Sequence, residues 1–556
     1  MAKHSVPAGT APGVTTPPPA RTLTTRWFSK SKSISFALVL RGALPAALVA
    51  AAVPCAVSGC AVSESDVRRW ELTERGPDKL VAVLTHDKYS YELRTEAALS
   101  LIRMKPRGGR RIGNELLINA LSSLPEEERK LIVNAMAPEL VKNIQLPAPT
   151  RAPDAPPQPD PSVPFKDAAF AMLSHEPTLV SDPKTYADLQ AAVTKWAQTD
   201  FEMRIESSSQ QYGIEQMMRF LGAPAVRPLP AMFNTESTKI DRMAGLVADL
   251  GDPETKQKAS EALVALAKQI ESPEWVAKQT PLVQQANERA KVNATPEQVK
   301  QQIAKFQDQE LTKIFAAMKR VGGRPAVEYA LAYGGDKSKP EERRKAALAS
   351  IEGRIEKGNQ GDIEKVFEIA RDDATPDALR DLAFARLGEL PKEQIVPKLY
   401  TLFEGKSWKV RWVAGSLILR TITTKELGEF MRRLPSSPAT KMGMSEPITY
   451  GAGIQKLDAP PGAPKPRDAV LAYLNARDLG PKLTALGYFY GGRKADLPLV
   501  QAHANDSTPV PKCDDNDECG WVCEVDKPGG AERESKKVST VGEFAKFCIE
   551  PSMTGN

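Results

Sequence analysis

From Asp66 to about Ala504, apolar residues recur at intervals of three and four, and no convincing run of strict alternation interrupts them. That period belongs to amphipathic helices, so the text predicts an almost purely helical body, nearly uninterrupted between Phe165 and Ala504. Four helix starts share one chemistry: Asp252-Pro253-Glu254, Ser272-Pro273-Glu274, Thr295-Pro296-Glu297 and Thr375-Pro376-Asp377. In each, a side-chain oxygen can take an orphan amide, proline fits the first turn, and an acid meets the positive helix end. Thr295 also has Gln298 three positions on, which completes a capping box.

A second pattern sets the architecture. Arg94 is followed by Ala97 and Leu101, Arg344 by Ala347 and Ile351, Arg380 by Ala383 and Leu387, and Arg411 by Ala414 and Ile418. A small alanine on the inner face lets two helices approach, and the aliphatic side chain fills the layer between them. Arg344, Arg380 and Arg411 are 36 and 31 residues apart, the length of one helical hairpin. Such units cannot bury an apolar face alone and must stack. In these residues the chain resembles HEAT repeats, most clearly at 87–104, 339–351 and 373–390, with a looser copy at 252–270. The resemblance implies an all-α fold, an α-solenoid of stacked helical hairpins.

Three segments break the pattern. Residues 146–164 hold eight prolines and read as an extended spacer between an N-terminal helical block (60–145) and the main array (165–434). A proline-motif docking site is the alternative. Residues 435–466 read as a long non-helical insertion, followed by terminal helices at 467–508. This insertion carries Met442, Met444, Ile448, Tyr450, Ile454 and Leu457, too much apolar matter for a linker. It either seals a groove of the array or binds a partner through Met442, Glu446 and Tyr450. Trp408 and Trp412, one helical turn apart, divide in the same way between core and a binding surface, as does Tyr488-Phe489-Tyr490.

At the N-terminus, Gly42 to Gly59 is 18 residues without a charge, preceded by bases and followed by Cys60. The run has the form of a secretory signal. Its end, Val57-Ser58-Gly59-Cys60, resembles the lipobox of bacterial lipoproteins, which implies cleavage before Cys60 and acylation of that cysteine. Residues 1–59 are then a leader. Cys55 is the rival, with Pro54 against it, and an uncleaved membrane helix is the structural alternative. The Pro/Thr-rich stretch ahead of the signal is unlike a normal leader, and a start at Val39 would give a compact one. Ala61 and Val62 follow, with no aspartate at the second position, so the resemblance implies the outer membrane, facing periplasm or cell surface.

Charge then changes the picture. The net +6 resides in the leader: residues 1–59 carry six bases and no acid, leaving 75 − 6 = 69 bases against 69 acids. The remainder is neutral, which removes the electrostatic case for nucleic-acid binding. Four cysteines remain after processing: Cys513, Cys519, Cys523 and Cys548, all in the last 44 residues. In an oxidising compartment they form two disulfides, with three possible pairings, stapling a small cap at 509–556. The strand-like text around Cys523 and a capping box at Thr540 and Glu543 give that cap a strand and a helix. A four-cysteine zinc site is the alternative, against which the spacing argues. The acids Asp514 to Glu518 either bind calcium or form a solvated loop.

Catalytic layouts are missing: no phosphate-cradling glycine loop, no H-E-x-x-H, no G-x-S-x-G and no dinucleotide fingerprint. The expectation is therefore a lipid-anchored envelope scaffold that binds protein partners and uses no cofactor. The alternative is an envelope enzyme acting on peptidoglycan or polysaccharide through groove carboxylates.

Overall fold

A computed structural model describes residues 62–107, 111–149, 158–199, 201–205, 211–405, 407–434, 443–511, 520–526 and 533–554. The leader with Cys55 and Cys60, the middle of the proline-rich segment, Met442, and the stretch from Cys513 to Cys519 lie outside the described residues.

The body is a HEAT-like α-solenoid. Helix Gly76–Thr85 pairs with Tyr91–Arg103, Arg324–Gly335 with Glu341–Ser350, Gln360–Arg371 with Asp377–Leu387, and Lys392–Phe403 with Trp408–Thr421. First helices pack on first helices of the next hairpin, and second on second, so two layers run along the stack. The repeated alanines are its contact points: Ala97, Ala347, Ala383 and Ala414 are fully buried, and Leu101, Ile351, Leu387 and Ile418 lie beside them in the core. Ala383→Leu is expected to overpack the layer and lower stability by roughly 1–3 kcal/mol, read from the urea midpoint. A neutral substitution would refute the close contact.

The arginine of each repeat has a job that composition did not reveal. Arg94 Nε donates to the Leu84 carbonyl at 2.8 Å, Arg344 Nε to Gly334 at 2.9 Å, and Arg380 Nη2 to Thr375 at 2.9 Å and Asp372 at 3.1 Å. Leu84 and Gly334 belong to the last turn of the preceding helix and Asp372 caps it, so their carbonyls have no intrahelical donor. In these three repeats the buried guanidinium supplies one, closing the hairpin from inside, while Arg411 lies 3.4 Å from Glu446. Expected caps at Asp252, Ser272 and Thr295 are present, the last as a full box. Thr375 is different: it is buried, Pro376 occupies the cap position, and its carbonyl serves Arg380.

Ion pairs lace neighbouring hairpins at one-repeat spacing. Arg94–Glu128 (2.7 Å) and Lys392–Glu426 (2.7 Å) are 34 residues apart, and Arg103–Glu71 (2.9 Å) and Lys409–Asp377 (2.7 Å) are 32 apart. Exposed pairs contribute little singly, up to about 1 kcal/mol, but repeated they favour one register of stacking. Burial alone would raise the Glu426 carboxyl, yet hydrogen bonds from Lys392 and Thr423 outweigh it and hold the group at about 2, against 4.5 for a free glutamate. A depressed carboxyl stabilises fully above its unfolded value and stops doing so as pH falls through its folded one. The stability gap between the native chain and Glu426→Gln should therefore be constant above about pH 5 and close between about pH 4.5 and 2. Parallel melting curves at pH 7 and 3 check this.

Three expectations need correction. The proline-rich stretch does not separate two blocks. Helix Val163–Ser174 packs directly on Glu126–Ile144 and Ile112–Ser123, and one hydrophobic cluster runs through both regions. Arg204 reaches both ends of the stretch, donating to the Leu146 carbonyl at 2.9 Å and pairing with Asp160 at 3.3 Å. Its guanidinium and the Lys166 ammonium each sit 4.6 Å from the Trp196 ring. Lys166, fully buried, lies 2.6 Å from the Asp167 carboxylate and donates to the Tyr212 carbonyl at 2.7 Å. Burial lowers its pKa, and the Asp167 charge opposes that shift.

Second, the insertion is not a loop throughout, because Ser445–Gln455 is a helix built into the stack. Third, the C-terminal cap holds two strands rather than one. Strand β1 (Val522–Asp526) pairs antiparallel with β2 (Arg533–Lys537), Glu524 facing Ser535. Cys523 on β1 is disulfide-bonded to Cys548, with Cα atoms 5.4 Å apart, and Trp521 meets Phe544 edge-on at 5.6 Å. The box at Thr540 and Glu543 opens the final helical segment as expected.

Candidate functional site

Three helices converge near the end of the array: Trp408–Thr421, the insertion helix Ser445–Gln455, and Leu479–Gly487. Glycines decide how closely they approach. A Cβ on Gly451 would lie 2.3 Å from the Gly487 carbonyl carbon, and one on Gly487 would lie 2.2 Å from the Pro447 carbonyl oxygen. Backbone therefore meets backbone where the insertion helix crosses Leu479–Gly487. Gly415 does the same for a side chain, since a Cβ there would meet the Tyr450 hydroxyl at 2.7 Å.

Tyr450 and Glu446 were candidates for partner contact, and the structure buries both. The Tyr450 ring sits among Phe403, Phe430 and Trp412, with centroids 5.8, 5.6 and 6.2 Å away. Its hydroxyl donates to the Arg411 carbonyl at 3.3 Å. Burial, then the Glu446 charge, push the phenol well above its usual value. Glu446 lies 3.4 Å from the Arg411 guanidinium. The reason is the helix: its i, i+4 spacing puts Glu446 and Tyr450 on one face, and that face seals the array. Trp412 is half-buried against Tyr450. Trp408 opens its helix, with its side chain outside the described residues, as Met442 is altogether. Of the aromatic trio, Phe489 is core, Tyr488 half-buried and Tyr490 exposed.

On its other side the insertion helix leaves a groove of about 560 Å³ against Trp408–Thr421. Leu419, Ile422 and Leu457 supply its apolar lining, and Arg420, Lys456 and Asp458 line it as exposed charges. Neither base is in an ion pair among the described residues. Sequence reasoning missed this groove. Arg420 ends one helix and Lys456 caps another, so each read as an ordinary base at a helix C-terminus. The apolar Ile454 and Leu457 were the only signal, and Ile454 turned out to be core.

The lining combines that apolar floor with charges of both signs, Arg420 and Lys456 together with the exposed Asp458. The buried carboxylates elsewhere are counter-ions. Asp160, Asp167, Asp362, Glu446 and Asp496 each face an arginine or lysine, namely Arg204, Lys166, Arg324, Arg411 and Arg467. Among the described residues no cluster of three metal-ligating side chains occurs, and no helix is long and apolar enough to cross a membrane.

No family model matches the chain, and no curated protein matches it. Among solved structures, one of Kap95p binding RanGDP aligns at 12% identity with a TM-score of 0.24, covering 80% of this chain and 64% of that one. One of Kap121p bound to Pho4p aligns at 11% identity with a TM-score of 0.22, covering 87% and 50%. The karyopherin Kap121p bound to the extreme C-terminus of the protein phosphatase Cdc14p aligns at 12% and 0.22, covering 88% and 50%. This chain thus spans about half to two thirds of the length of these three. At such scores the likeness carries no argument, and the solenoid rests on the packing above.

Proposed function

We propose that this protein is a lipid-anchored scaffold of the cell envelope that binds a protein partner in the groove between Trp408–Thr421 and the insertion helix. The observation that carries the reading is the groove itself, an apolar floor edged by the exposed charges of Arg420, Lys456 and Asp458. The location is supported by sequence alone: Val57-Ser58-Gly59-Cys60 closing an uncharged run, with Ala61 and Val62 in favour of the outer membrane. Acylation at Cys60 would hold the helix Glu64–Trp70 close to the headgroups.

Two experiments test the two halves. Fatty-acid labelling should be lost in Cys60→Ser and kept in Cys55→Ser, and the opposite pattern removes the anchor. A photo-crosslinker placed at Ala452, in the groove, should capture one protein from intact envelopes, and the double charge reversal Arg420→Glu, Lys456→Glu should abolish that product. The same crosslinker at Gln285, on the exposed face of Pro273–Arg289, serves as control. Equal products from both positions would remove the groove from the function.

A further inference from the structure

The disulfide of the cap does not stand alone. Met444, the residue before the insertion helix, places its Sδ 3.3 Å from Cys523 Sγ and 3.6 Å from Cys548 Sγ. Its backbone N–H donates to the Gly520 carbonyl at 3.4 Å, just ahead of β1. One residue thus joins the disulfide edge of the cap to the array through both its side chain and its backbone. The far side of the cap is held separately. Gln501 donates to Glu550 at 2.9 Å, the Gly491 amide to the Ser552 hydroxyl at 2.9 Å, and the Gly542 amide to the Asp506 carbonyl at 2.9 Å.

Met444 is also reachable. Among the methionines whose side chains are described, all are buried except Met232 and Met444, which are half-buried. A thioether in that position meets both conditions for an oxidation-sensitive contact: solvent can deliver the oxidant, and the neighbours depend on the sulfur staying apolar. We propose that Met444 is a modification site, a thioether latch whose oxidation by a peroxide releases the disulfide edge of the cap while the final helix stays docked. The reaction is a two-electron oxygen transfer. The peroxide O–O bond breaks, an S–O bond forms on Met444, the sulfur is oxidised to the sulfoxide, and the second peroxide oxygen leaves as water or alcohol. The disulfide remains closed throughout. The new sulfoxide oxygen is a strong acceptor facing two disulfide sulfurs, neither of which carries a hydrogen to donate. Its burial in that contact is disfavoured, and the edge opens so that water can solvate it.

The test uses the full mature chain treated with limiting hydrogen peroxide, with the oxidised residue located as a 16 Da gain by peptide mass spectrometry. Amide exchange in the peptide over 521–526 should accelerate at least about tenfold, the unfolding of one edge, with no change over 545–553. Methionine sulfoxide reductase should restore the slow exchange. Met444→Leu should show the same exchange before and after peroxide, whatever its baseline, and Met232→Leu should respond as the native chain does. The proposal is overturned if Met444 sulfoxide forms without faster exchange at 521–526. It is equally overturned if Met444 stays intact at doses that oxidise Met232, or if Met444→Leu still loosens on treatment.

Discussion

Lys166→Met is expected to lower the unfolding free energy by about 3–5 kcal/mol, because it takes the ammonium from the buried Asp167 carboxylate and leaves it only the charge of Arg111. The Lys166 and Asp167 side chains are fully excluded from solvent, at 0% exposure, so water cannot replace the lost partner. The effect should fall toward the lower end of that range, since the Gln211 and Tyr212 amides still donate to Asp167 at 2.8 and 3.2 Å. Asp167→Asn, which keeps an acceptor for one of those amides, should cost less than Lys166→Met. Urea unfolding of the two variants checks the order. A loss below about 1 kcal/mol for Lys166→Met would mean that Arg111 and the two amides suffice to hold Asp167, and the Lys166 pair would lose its structural role.

Tyr450→Ala should be comparably severe, about 3–5 kcal/mol, for a different reason. The ring is fully buried where Phe403, Phe430 and Trp412 meet, and Gly415 below it offers no side chain to fill the void. Tyr450→Phe keeps the ring and removes the hydroxyl's hydrogen bonds, to the Arg411 carbonyl and to Glu446, and should cost about 1–2 kcal/mol. Denaturation curves of the pair separate packing from hydrogen bonding. They also separate core from surface: a Tyr450 that served a partner would lower binding in both variants and leave the unfolding midpoint in place.

What the sequence disclosed and what it hid follow from the range of the forces involved. The repeat was legible because its determinants are local: alanine three residues and an aliphatic seven residues after an arginine lie on one helix face. The caps at Asp252, Ser272 and Thr295 were legible for the same reason. The insertion helix was not, because Pro447, Gly451 and Gly453 are poor helix formers, and their presence lowered the local signal. Those glycines are there for tertiary contact, so the feature that argued against a helix is the one that lets it pack. The groove beside it depends on two helices some 30 residues apart in sequence, and no periodicity reports such a meeting. Of the four late cysteines, the structure pairs Cys523 with Cys548 as strand to helix, a choice among pairings that the spacing of the cysteines left open.

Arg204 has a topological consequence. One guanidinium holds Leu146 and Asp160, so both ends of the proline-rich segment are fixed to the stack by a single side chain. Doubling the segment's length would add only about 0.6 kcal/mol of closure entropy. That is the tolerance of a splice site for foreign sequence: a domain inserted there would leave both layers of helices in register.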